Sequence, residues 1–208
     1  MLRTAVAASV GISILLFSAL PAYSGGLEET VQVRDNEFDP AVVPSTTNPF
    51  LAGESLAWQW ESGVVNSHDV RQLRGLFRSP LSNSPGTTFL RTFSSGTFPY
   101  ECSIHGPAMS GIVKVRVWQG VAPSGLPLLR WAFSDTNTGK AFDVQFRIGE
   151  GRWRVWKKDT TRRYGVFGRN DKPVRYNPDR EYWFRARSQK RANLPRAVSK
   201  WSPATLLD

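Results

Sequence analysis

Four side chains set the metal chemistry open to this chain. Its 208 residues include one cysteine, two histidines and two methionines, one of them the initiator. The working set is therefore His68, Cys102, His105 and Met109. Three of these lie in Tyr-Glu-Cys-Ser-Ile-His-Gly-Pro-Ala-Met-Ser-Gly (100–111), with the spacing C-x2-H-x3-M. His68 stands 34 residues before Cys102, in Asn-Ser-His-Asp-Val. A thiolate, two imidazoles and a weak thioether make the trigonal His2Cys set with a distant axial Met that suits one type 1 (blue) copper ion. Thiolate and thioether favour Cu(I), whereas imidazole serves either oxidation state. A site that suits both states imperfectly changes little in geometry when an electron passes. Taken singly, Cys102 reads as a small buried hydrophobe and His68 as a polar residue at a strand end. Their joint spacing arises by accident only on the order of once in ten thousand sequences. A lone Cys excludes a disulfide within the chain. Two His are too few for dioxygen reduction of the multicopper kind, so an electron carrier is expected rather than an enzyme.

The elements that must position these groups read as strands. No helical period is sustained, and short alternating or β-branched runs are bounded by turn residues. In the first half they are Thr30–Arg34, Ser55–Trp60, Thr87–Phe93, Gly96–Glu101 and Ile112–Trp118. In the second they are Leu128–Phe133, Ala141–Ile148, Trp153–Lys158 and Tyr182–Ser188. The ligand segment then lies in a loop joining the last two strands of a first β-sandwich. The expected division is a signal peptide (1–24), a copper-binding domain (25–117), a linker (118–122) and a second domain (123–208).

The first domain resembles a small cupredoxin of the plastocyanin and amicyanin type. Val-Arg-Asp-Asn-Glu-Phe-Asp-Pro (33–40) resembles the opening strand and its Phe-x-Pro turn, and Ala-Gly-Glu-Ser-Leu-Ala-Trp-Gln-Trp (52–60) the Gly-Asp/Glu-x-Val-x-Trp strand before the first His. Phe-Pro-Tyr-Glu-Cys (98–102) resembles the Tyr-x-Cys entry to the ligand loop. The resemblance implies single-electron transfer, with His68, Cys102 and His105 as equatorial ligands and Met109 axial. It also implies a redox partner protein that approaches an apolar surface made by Gly106, Pro107, Ala108 and Ile104. The residue after the first His is often Asn in that family, where it ties the ligand loops together; here it is Asp69. A carboxylate there is expected to favour the cupric state and lower the reduction potential. Residues 123–206 resemble a fibronectin type III domain, on Pro-Ser-Gly-Leu-Pro (123–127), the core Trp131, the alternating run 142–148, the strand 181–188 with Tyr182 as its tyrosine corner, and Ser-Lys-Trp-Ser-Pro (199–203). The expected fold is all-β, two β-sandwiches in tandem: a Greek-key cupredoxin sandwich, then a fibronectin type III-like one.

Arg3, an apolar stretch around Ile12–Phe17 and an Ala-x-Ser end at Ala22–Ser24 have the layout of a cleaved secretory signal. Export to the periplasm, cell surface or medium is expected, with no transmembrane segment after the signal. Charge divides the halves. Residues 25–117 hold seven basic and nine acidic side chains, a net of −2. Residues 118–208 hold 19 and eight, a net of +11, and Arg3 completes the chain's +10. The second half has neither Cys nor His, so metal and Cys/His chemistry are excluded there. Arg185 and Arg187 alternate along one strand, and Arg147, Arg152, Arg154 and Lys157 surround Trp153 and Trp156. Part of this charge is expected to stack on those rings, with Trp201 nearby, in a cation–π ladder. The rest would meet an anionic cell-surface polymer or an acidic partner, not nucleic acid. The rival role for the copper centre is that of a copper carrier or buffer in extracytoplasmic homeostasis.

Overall fold

The structure, a computed structural model, describes residues 27–190 and 197–207. The expected signal peptide lies outside the described residues. The chain folds as two β-sandwiches in tandem.

The first sandwich is built from β1 (Leu27–Arg34), β2 (Glu37–Asp39), β3 (Val42–Val43), β4 (Phe50–Leu51), β5 (Ser55–Trp60), β6 (Arg71–Gln72), β7 (Thr88–Thr92), β8 (Gly96–Cys102) and β9 (Gly106–Arg116). One sheet runs β2-β1-β5-β7 and the other β3-β9-β8-β6, with β4 also paired to β9. Side chains alternate across a strand, and that period decides what enters the core. On β8 it turns Phe98, Tyr100 and Cys102 inward and Thr97, Pro99 and Glu101 outward. On β9 it turns Met109, Val113 and Val115 inward. The core is aromatic: Trp58 meets Tyr100 edge-on at 5.3 Å between ring centres and Phe93 meets Phe98 at 5.1 Å. Such pairs add to the burial of their large apolar surfaces.

The ligand loop is shorter than the sequence suggests. Pairing of β8 with β9 resumes at Gly106, opposite Cys102, so only Ser103, Ile104 and His105 make the turn. Gly106 adopts φ +57°, a left-handed conformation that glycine enters without steric cost, and the reversal can close early. Met109 consequently sits on a strand rather than in a loop.

The second sandwich comprises β10 (Trp118–Val121), β11 (Pro127–Arg130), β12 (Ala141–Ile148), β13 (Arg154–Thr160), β14 (Tyr164–Val166), β15 (Tyr182–Gln189) and β16 (Thr205–Leu206). Its sheets run β10-β11-β14 and β13-β12-β15-β16. Residues 118–121, read from sequence as linker, are a strand hydrogen-bonded along β11 across a turn closed by Gly125 N–H to Ala122 C=O. The stretch 199–203 lies along β15 as the sequence suggests, although irregularly: the Ser199 and Ser202 N–H groups donate to the Ser188 and Ala186 carbonyls at 2.8 Å each, and β16 completes the edge. Between them Lys200 exchanges backbone hydrogen bonds with Thr97 of the first sandwich. Tyr182 makes the expected corner, its hydroxyl accepting from the Asn177 N–H at 3.2 Å.

On the outer face of β12 and β15, Arg147 lies between Trp153 and Trp183, and Arg185 between Trp153 and Trp201, with Arg187 beyond Trp201. The ladder differs from the sequence reading in its members: its cations among the described residues are Arg147, Arg185 and Arg187, while Lys157 lies apart, 5.4 Å over the Trp156 ring. Trp156 is three residues from Trp153, so alternation sends it to the opposite face, where it packs against Trp131, Phe167 and Phe184. Trp183 takes its place.

The two sandwiches touch through small polar side chains. Ser94 and Ser188 hydroxyls are 2.6 Å apart, the Ser94 N–H donates to Thr138 Oγ1, and Ser188 Oγ donates to the Ser95 carbonyl. At Gly53, φ +96°, the ring of Phe133 fills the space where a Cβ would stand.

Candidate metal centre

The first histidine is placed by a backbone bridge. His68 exchanges N–H···O bonds with Ser82 at 2.8 and 2.9 Å, which brings its ring beneath the end of β8. The ring is fully buried. Its Nε2 donates to Asp35 Oδ1 at 2.9 Å, and its Nδ1 is 3.8 Å from Cys102 Sγ. A histidine whose outer nitrogen is held by a carboxylate has its tautomer and ring angle fixed, and the inner nitrogen is left as a lone-pair donor. Asp35 sits in the turn between β1 and β2, where it also accepts from the N–H groups of Val65 and Asn66. The bond from His68, then those two, hold its carboxyl down at about 2.

Cys102 is a free thiol with no exposed surface, at the end of β8. His105 is half-buried in the following turn, its ring centre 4.9 Å from that of His68. Its Nδ1 is buried without a hydrogen-bond partner. An unpaired buried nitrogen is costly unless something binds there. One donor atom from each of His68, Cys102 and His105 falls within 4.8 Å of the other two. Bonds of about 2.3 Å to a thiolate and 2.0 Å to an imidazole, at tetrahedral to trigonal angles, separate S and N by roughly 3.5–3.7 Å. The 3.8 Å between Sγ and Nδ1 suits a metal set between them with little movement. Met109 is fully buried and belongs to the same apolar cluster as Cys102. The donor set is soft and nitrogen-rich, the kind that suits copper.

Asp69 is fully buried and ties the two ligand segments. It accepts from the Ser103 N–H at 2.5 Å, from the Ser103 hydroxyl at 2.9 Å and from Arg78 Nε at 2.9 Å. Burial pushes its carboxyl up, but the Ser103 bonds and the Arg78 guanidinium outweigh this and hold it below the ordinary carboxylate range. Sequence reasoning singled out Asp69 but missed Arg78 and Asp35. The rule that a ligating His needs a partner for its second nitrogen was the available signal for Asp35.

Apolar residues lie on either side of His105 in the chain. Ile104 is 56% exposed, and Pro107 and Ala108 are exposed beside it in the chain.

No family model matches the chain, and no curated protein matches it. Among solved structures, a reduced amicyanin variant is 20% identical, with 41% of this chain and 79% of that one covered at a TM-score of 0.34. Auracyanin A, a blue copper protein from the green thermophilic photosynthetic bacterium Chloroflexus aurantiacus, is 17% identical over 43% of this chain and 99% of its own, at 0.32. A cytokine receptor complex is 19% identical over 76% of this chain and 92% of that one, at 0.34. At such identities and TM-scores the chemistry of the centre is carried by its own side chains.

Proposed function

We propose that the protein is an exported electron carrier that binds one type 1 copper ion through His68, Cys102 and His105, with Met109 as the weak axial donor. The observation that carries this reading is the triad of buried His68 and Cys102 with half-buried His105, whose donor atoms lie within 4.8 Å of one another beside an unpaired His105 nitrogen. Copper bound there would supply a one-electron couple between its cuprous and cupric states. The protein's part is to hold the donors still. Asp35 fixes the His68 ring, β8 delivers Cys102 from within the sheet, and Asp69 locks the turn that carries His105 to the segment that carries His68. Burial of Cys102 and Met109 keeps water from the donors. A redox partner would approach over Ile104, Pro107 and Ala108, where the half-buried His105 is the ligand nearest solvent. The basic second sandwich would position the carrier on an anionic polymer at the cell surface.

The deciding experiment is a visible and EPR spectrum of the mature protein loaded with Cu(II). Intense absorption near ~600 nm with fast electron self-exchange is expected. Weakly coloured copper that is lost readily to a chelator would overturn the electron-transfer reading in favour of a carrier or buffer.

A further inference from the structure

The ladder on β12 and β15 uses Arg147, Arg185 and Arg187, but most of the basic charge lies elsewhere. On the other side of β13 is a cavity of about 540 Å³. Five cations line it: Lys157, Arg162, Arg163, Arg169 and Lys172. They come from β13, from the segment leading into β14 and from the short 3-10 turn Arg169–Asp171 with its next residue. Among the described residues none of the five is in an ion pair, and no carboxylate lines the cavity. Trp156 and Tyr164 complete its wall.

The cavity is built rather than incidental. The Arg162 carbonyl accepts from Trp131 Nε1 at 2.6 Å, and the Arg163 carbonyl accepts from the Trp131 and Ala132 N–H groups. These bonds anchor the two arginines' backbone to the buried core Trp, while both side chains stay exposed. Five like charges in one concavity repel each other and raise the local potential. Among the described residues only Lys157 of the five lies over an aromatic ring, that of Trp156 at 5.4 Å, and an anion would relieve the repulsion among them. The volume lies within the ~300–1,000 Å³ of small-ligand sites, which combine aromatic walls with a few placed polar groups.

We infer that this cavity binds an acidic oligosaccharide, a sugar chain bearing sulfate or carboxylate groups. The cations would pair with those groups, and Tyr164, which is 52% exposed, would lie against a sugar ring. The inference rests on the anionic-polymer reading of the second sandwich and is independent of the copper centre.

The test uses the full mature chain, with a sulfated heparin hexasaccharide and an oligogalacturonate hexamer as probes in titration calorimetry. The triple variant Arg162→Glu, Arg163→Glu, Lys172→Glu should weaken binding about tenfold or more. A charge-matched control of exposed residues outside the cavity, Arg152→Glu, Arg154→Glu, Arg180→Glu, should leave affinity within about threefold. Near-UV circular dichroism checks that both variants are folded. Tyr164→Ser should weaken sugar binding a fewfold without altering retention on a sulfonate resin. Equal losses in the two triple variants would overturn the cavity but keep a diffuse polymer attraction. Failure of both sugars to bind would overturn both. Binding to phosphatidylglycerol vesicles but to neither sugar, abolished by the cavity variant, would reassign the site to lipid headgroups and overturn the inference.

Discussion

Replacing Asp69 tests whether one buried carboxylate holds the two ligand segments together. Its side chain accepts three hydrogen bonds, two from Ser103 and one from Arg78. A hydrogen bond to a charged group contributes about 1.5–3 kcal/mol. The Arg78 side chain is 59% exposed and finds water readily once released, so its share is small. The two Ser103 bonds remain, and Asp69→Ala should destabilise the copper-free first sandwich by about 3 kcal/mol. Asp69→Asn retains an acceptor for the Ser103 N–H but turns an amide toward Arg78, and should cost about 1 kcal/mol. Urea unfolding followed by tryptophan fluorescence measures both. The carboxyl is held below its ordinary range, so its stabilisation is complete above about pH 4 and is lost as pH falls through the folded-state value. The gap between the native protein and the Ala variant should therefore narrow on acidification. In the copper-loaded protein, Asp69→Asn removes a negative charge and leaves Arg78 unopposed, and both changes should raise the reduction potential. An Ala variant that loses less than about 1 kcal/mol, or an Asn variant as weak as the Ala one, would refute the tie. A potential that stays put or falls would refute the sign.

Asp35→Asn keeps an acceptor for His68 Nε2 but withdraws the charge that makes the ring a stronger donor. Copper affinity, measured by chelator competition, should drop about 10- to 100-fold. Met109→Leu nearly conserves volume in a packed core, so the copper-free protein should lose less than about 1.5 kcal/mol in thermal unfolding, while the reduction potential shifts with the loss of the thioether. Gly53→Ala puts a methyl group against the Phe133 ring at a backbone angle that L residues seldom adopt, and should cost about 1–3 kcal/mol by calorimetry. Arg185→Ala removes contacts to Trp153 and Trp201 and two hydrogen bonds to Gln145, and should destabilise the second sandwich by about 2 kcal/mol.

What could be read from the sequence followed the range of the interaction concerned. Strands whose side chains alternate declare themselves within a few residues. The long ones, such as β5, β8, β12 and β15, were accordingly legible, whereas two-residue strands such as β3, β4 and β6 carry too little pattern to show. The same period accounts for Cys102 facing inward, and ignoring it accounts for assigning Trp156 to the ladder. The clustering of His68, Cys102 and His105 was legible because soft and imidazole side chains are so scarce in this chain. Their supports are common residue types. Asp35 reaches His68 across 33 positions, and Arg78 finds Asp69 across nine. Neither distance leaves a local mark in a chain with 17 acids and 27 basic residues.

The contact between the sandwiches is further still from being readable, and it bears on function. Ser94, Thr138 and Ser188 are small residues of a kind found in any loop, yet they meet as a buried hydrogen-bonded cluster across up to 94 positions. β8, which ends in Cys102, exchanges backbone hydrogen bonds with Lys200 through Thr97. The strand that ends in Cys102 is thus braced by the second sandwich near its start. A second domain that served only as a flexible tether would need no such bracing. Deleting the Thr97 Oγ1 bond to the Trp201 carbonyl at 2.8 Å, with Thr97→Val, separates the two roles. Bracing requires that copper loss to a chelator become faster in this variant, although the substituted residue points away from the core of the first sandwich. A simple tether requires that it not change.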